Sequence, residues 1–116
     1  MTPTQADLRK LIVCSLQLLA STEAAFEYQR QVPIADVSAE LFCQWFDDAY
    51  LPDSEVFQGA FSQEELDALA AFNSVFEATA REIGERLQSL EQLLALPAWQ
   101  SVQKGAQEAL ENLGCE

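Results

Sequence analysis

The sequence predicts an all-α fold, an antiparallel four-helix bundle with a short extra helical turn between helices two and three. Apolar residues recur three to four positions apart along most of the chain, no stretch alternates with period two, and Pro33, Pro52 and Pro97 fall where that pattern is interrupted. A length of 116 residues fits one domain, 1–116, with a single hydrophobic core. Hydrophobic residues make up 49% of it, too many for an acidic chain that stays disordered.

The first helix is expected from about Gln5 to Arg30. Thr4 can cap it, Asp7 suits its positive N-terminal end, and Leu8, Leu11, Ile12, Ser15, Leu18, Leu19, Thr22, Ala25 and Phe26 form one stripe for burial. The pair Arg9-Lys10 followed by Leu11 to Ala20 resembles a short export signal only superficially. Ser15 and Gln17 interrupt the apolar run and Asp7 precedes it, so it reads as a helix face.

The second helix is expected over Ser38 to Tyr50. Val37, Leu41, Phe42, Trp45, Phe46, Ala49 and Tyr50 cover more than half of its circumference, which leaves Asp36, Glu40 and Asp47 on a narrow polar arc. Pro52-Asp53-Ser54 then reads as a turn and Glu55 to Gln58 as one helical turn closed by Gly59.

Helix three opens on the clearest local signal in the chain. Ser62 and Glu65 make a capping box, flanked by the apolar staple pair Phe61 and Leu66. Its stripe of Leu69, Phe72, Phe76, Ala80, Ile83, Leu87, Leu90 and Leu94 has near-heptad spacing and predicts a helix to about Ala95. At 1.5 Å per residue such a helix is roughly 45 Å long. Gly84 fits a bend, a close helix approach or a tolerated surface position equally well, and Asn73 beside the stripe suits a register-fixing role. The fourth helix starts at Pro97, buries Trp99, Val102, Ala106, Ala109, Leu110 and Leu113, and ends at Gly114.

Charge is distributed unevenly. Nineteen acidic residues face six basic ones, for a net charge of −13. No basic residue lies between Arg30 and Arg81, while Asp36, Glu40, Asp47, Asp48, Asp53, Glu55, Glu64, Glu65, Asp67 and Glu77 do. Such a field repels nucleic acid and anionic membranes, and no run approaches the ~20 apolar residues of a membrane span.

Catalytic chemistry finds little support. Histidine is absent, the four glycines form no phosphate loop, and Cys14, Cys43 and Cys115 follow no zinc spacing. The thiols read as reduced, in a cytoplasmic protein, with Cys14 and Cys43 as small buried hydrophobes and Cys115 exposed near the end. Asp47-Asp48, Glu23 with Glu27 and Glu82 with Glu85 are carboxylate pairs. Without histidine they leave only a carboxylate-bound Mg²⁺ site as a remote reading, so no metal and no cofactor is expected. Glu77 with Arg81 and Glu82 with Arg86 have the spacing of ordinary i,i+4 helix pairs.

The residues expected to bind a partner are Asp36, Glu40, Asp47, Asp48, Tyr50, Asp53 and Glu55, an acidic strip and loop with an aromatic anchor. A solvated helix face over core aromatics is the bland alternative. By analogy of fold and charge alone with small acidic bacterial immunity proteins, the expected function is inhibition of a basic toxin, for instance a nuclease. A helical adaptor, or a homo-oligomer formed through helix three with Val75 and Leu93 on its second face, is the runner-up.

Overall fold

The computed structural model describes residues 4–32, 36–83 and 89–114. The chain is all-α, but it is not the simple four-helix bundle that the sequence predicts. The described residues form seven α-helices: α1 (Gln5–Ala20), α2 (Thr22–Gln31), α3 (Val37–Cys43), α4 (Glu55–Gly59), α5 (Gln63–Ile83), α6 (Leu90–Ala95) and α7 (Pro97–Asn112). A π-helical stretch, Gln44–Ala49, continues α3.

Two of the four expected helices are divided, each at a serine. Ser21 adopts extended backbone (φ −137°, ψ 123°) and its hydroxyl accepts the Ala24 N–H at 3.2 Å, so one residue ends α1 and caps α2. Ser89 is likewise extended (φ −60°, ψ 159°), and its capping box with Gln92 starts α6 afresh. In both cases the hydroxyl satisfies a backbone donor that a new helix would leave open. The 45 Å helix three is thereby replaced by α5 and α6, and Leu93, expected on a second exposed face, is buried in the core. The positions of Gly84, Leu87, Arg86, Glu85 and Cys115 lie outside the described residues.

Other local expectations hold. Thr4 and Asp7 form a reciprocal capping box, as do Ser62 and Glu65, whose two bonds measure 3.2 and 2.9 Å. Pro97 opens α7, and Gly114 leaves it at φ 77°, backbone that other residues rarely adopt. Within α1 the stripe narrows to Leu8, Ile12, Ser15, Leu16 and Leu19, while Leu11 is exposed.

Helix α7 packs against both α1 and α5, and α1 also carries the π-helical stretch and α4. The α5–α7 approach is close: a Cβ on Gly105 would lie 3.1 Å from the Phe72 ring, so a side chain there would require the ring to shift by a few tenths of an ångström. Through the core runs a chain of ring contacts. Phe61 meets Phe57 at 4.9 Å, Phe57 meets Tyr50 at 5.6 Å, and Tyr50 stacks on Trp45 at 5.1 Å. Trp45 then meets Phe72 edge-on at 4.8 Å, Phe72 meets Phe76, and Phe76 touches Phe42, Phe46 and Trp99.

Arg9 fastens α1 to the start of α5. Its guanidinium donates to both carboxylate oxygens of Glu65 at 2.9 and 3.1 Å and to the Ala60 carbonyl at 2.9 Å, and it sits 5.1 Å from the Phe61 ring centroid. The bonds from Arg9, followed by those from Ser62, hold the Glu65 carboxyl below the usual glutamate range. A carboxyl lowered in the folded state stabilises above its unfolded pKa, and that contribution is lost as pH falls through the folded value. Glu65→Gln is therefore expected to cost about 1–2 kcal/mol at pH 7, and less at a pH acid enough to protonate the Glu65 carboxyl in the folded protein. Denaturant unfolding at the two pH values checks this. A second expectation concerns Ser15, whose buried hydroxyl has no hydrogen-bond partner among the described residues. Ser15→Ala should leave stability unchanged or raise it by up to about 1 kcal/mol, and a clear loss in the same assay would show that the hydroxyl is bonded in solution.

Candidate functional site

The π-helical stretch organises the acidic surface. Its closing bond runs from Tyr50 N–H to the Trp45 carbonyl at 2.8 Å, a five-residue span in place of the usual four. The wider turn buries both Trp45 and Ala49 and returns Tyr50 over the indole, with the two ring planes 6° apart. The indole N–H donates to Asn73 Oδ1 at 3.0 Å, and Asn73 Nδ2 donates to Glu77 Oε1 at 3.2 Å. Asn73 thus has the register-fixing position its place beside the stripe suggests, and a buried donor is satisfied across two helices.

The seven expected partner-binding residues separate by role. Asp36 caps α3, accepting the Ala39 N–H at 3.3 Å. Glu40 is half-buried and accepts the Tyr28 hydroxyl at 2.6 Å, which ties α3 to α2. That bond, more than burial, raises the Tyr28 pKa above the usual tyrosine range. Asp47 and Asp48 are exposed on the π-helical stretch, and Asp53 is exposed in the turn after it. Tyr50 is half-buried and its hydroxyl is raised by burial, with Glu77 adding to the shift. Glu55 is exposed in the first turn of α4.

Cys43 shows which carboxylates share a neighbourhood. Its thiol is pushed up by desolvation first, then by the charges of Asp47 and Asp48 with a hydrogen bond to Asp47, and last by Glu40. The charges of three of the expected residues thus reach one thiol. Both Cys14 and Cys43 are exposed, contrary to the expectation that they are buried hydrophobes. Residues at three-to-four spacing already fill the inner faces of these helices, so the thiols sit on the outer ones.

Two basic residues are engaged elsewhere, and a third, Arg81, lies beside Phe46 and Glu77 at the margin of this surface. Arg9 is engaged with Glu65, and Arg30 with Glu27 in its own helix. Glu77 and Arg81 do not close the ion pair their spacing suggests, since Glu77 is held by Asn73.

Beside the carboxylates lie two shallow depressions that share Phe46 as a wall. One, of about 390 Å³, is lined by Phe46, Tyr50, Leu51, Pro52, Asp53 and Ser54; the other, of about 380 Å³, by Phe46, Glu77, Ala80 and Arg81. The sequence reading missed Phe46, Glu77 and Arg81 as surface features because it placed Phe46 in the core and treated Glu77 and Arg81 as a helix pair. A larger groove, about 790 Å³, lies between the α1–α2 junction and the end of α7, where Gln17, Ala20, Ala24, Gln107 and Leu110 line it. Among the described residues no three cysteine or carboxylate side chains converge as metal ligands, and no helix is long and apolar enough to cross a membrane.

Replacing Asn73 by alanine should leave the buried Trp45 N–H unsatisfied and cost about 1–3 kcal/mol. In a Trp45→Phe background the same change should cost clearly less, and urea unfolding of the four proteins in a double-mutant cycle measures the difference. Compared with protein families, curated proteins and solved structures, the chain matches none.

Proposed function

We infer that this protein is a protein-binding inhibitor of the immunity type, which neutralises a basic toxin, such as a nuclease, through its acidic surface. The observation that supports the reading best is the exposure of Asp47, Asp48 and Asp53 within one short stretch, 47–53, that carries no basic residue. Concentrated negative potential on a fixed scaffold speeds encounter with a basic protein and rejects acidic ones. Affinity then comes from a few desolvated anchors, for which half-buried Tyr50 and Phe46 at the edge of the patch are suited.

The carboxylates do not contribute alike. Asp36 and Glu40 serve local structure, so Asp47, Asp48, Asp53 and Glu55 are the charges left for a partner. A carboxylate-only metal enzyme gains no support from the arrangement of these groups. Self-association retains one favourable feature, the exposure of Val75 on α5. It is opposed by a charge of −13 on each copy.

The test is recovery of partners from native cells by the wild-type chain and by the Asp47→Lys, Asp48→Lys double variant. A basic protein should copurify with the former, and the purified pair should bind at least about tenfold more weakly with the double variant, with on-rates that fall as salt rises. Undiminished binding by the double variant would refute the reading.

A further inference from the structure

The depression between Phe46 and Asp53 has the composition of a receptor for one long cationic side chain. Its walls are two aromatic rings and the apolar surfaces of Leu51 and Pro52, and a single exposed carboxylate, Asp53, stands at its rim. Its volume of about 390 Å³ is small. An α-helix about 10 Å across cannot enter such a space, whereas one side chain can.

We propose that this depression receives an arginine side chain of the basic partner, with the aliphatic stem on Leu51 and Pro52, the guanidinium plane against the Phe46 and Tyr50 rings, and its N–H groups on the Asp53 carboxylate. The proposal rests on the reading of this face as the contact for a basic protein, and it names the group that is recognised.

Charge complementarity selects the occupant. No basic residue lies between Arg30 and Arg81 in the sequence, so the loop carrying Asp53 brings no cation of its own. The depression on the opposite side of Phe46 already contains Arg81 beside Glu77. The Glu77 carboxylate there already has a cation at hand, whereas the Asp53 depression has no basic residue in its lining. Arginine is favoured over lysine because its planar, weakly hydrated guanidinium stacks on aromatic rings and bonds a carboxylate through two N–H groups at once, whereas an ammonium is a compact, strongly hydrated charge. The Tyr50 ring is held for this role, stacked on Trp45 and edge-on to Phe57, so its orientation need not be fixed at the moment of binding.

The experiment is a titration of the ¹⁵N-labelled full chain, followed by amide shifts, with two capped pentapeptides, Gly-Gly-Arg-Gly-Gly and its lysine counterpart. The arginine peptide should give saturable shifts centred on Phe46 and on residues 50–54, and bind several-fold more tightly than the lysine peptide. Asp53→Asn should weaken it by up to about fivefold, the effect of losing one exposed ion pair, with the remaining spectrum unchanged. Equal response to both peptides, or shifts confined to residues 40–48, would overturn the arginine receptor and leave the inhibitor reading standing. Arginine binding at residues 50–54 together with partner capture unaffected by the Asp47 and Asp48 changes would do the reverse. Absence of any shift at millimolar peptide would refute the receptor outright.

Discussion

Trp45 is the residue on which this architecture turns. Its ring is fully buried, one face covered by Tyr50, its neighbour Phe72 meeting it edge-on, and its N–H bonded to Asn73. An indole can satisfy both demands, apolar burial and one hydrogen bond, only at a particular depth and rotation. A regular α-helix from Val37 to Tyr50 would place its residues at fixed steps of 100°, with no freedom to adjust that rotation. The π-helical stretch supplies the adjustment. A wider turn is tolerated because aromatic contacts and a cross-helix hydrogen bond offset the less favourable backbone geometry.

The consequence for the surface follows from the same turn. Whatever fixes Trp45 inward also fixes Asp47 and Asp48 outward, two and three residues further on. The Arg9 clamp and the chain of ring contacts from Phe61 to Trp99 hold the fold together. Asp47 and Asp48 are exposed and take part in neither, so charges there can change without removing a core contact.

How much of this was legible in the sequence differs by feature. Helical class, the cap at Thr4, the capping box at Ser62, the turn at Pro52 and the start of α7 rest on short-range chemistry and are readable as such. The division of the first and third expected helices was carried by the same kind of signal and overlooked. Ser89 with Gln92 is a capping box in the sequence, but it lies within a continuous apolar stripe, and the stripe took precedence. Ser21 offered less, only a serine followed by Thr22 and Glu23. The π-helical stretch had no local signature at all, since it arises from Asn73 and Phe72, which are almost thirty residues away in sequence. Site residues followed suit: the carboxylates were visible by charge, whereas Phe46 as a dividing wall between two depressions depends on where Leu51, Pro52 and Ala80 come to lie.

Rigidity and charge answer different needs in such a surface. Long-range attraction governs how often a basic partner arrives, and salt weakens it over about 8–10 Å. It does little to hold the partner, because exposed ion pairs each contribute only about 0–1 kcal/mol. Retention requires groups that lose water on contact and lose little conformational freedom in doing so. Of the expected contact residues, Tyr50 alone has its ring fixed by neighbours on two sides, and Phe46 beside it is packed on Phe76. On the proposed reading the acidic strip would select among partners, and the aromatic edge next to Asp53 is the part of the surface able to hold one.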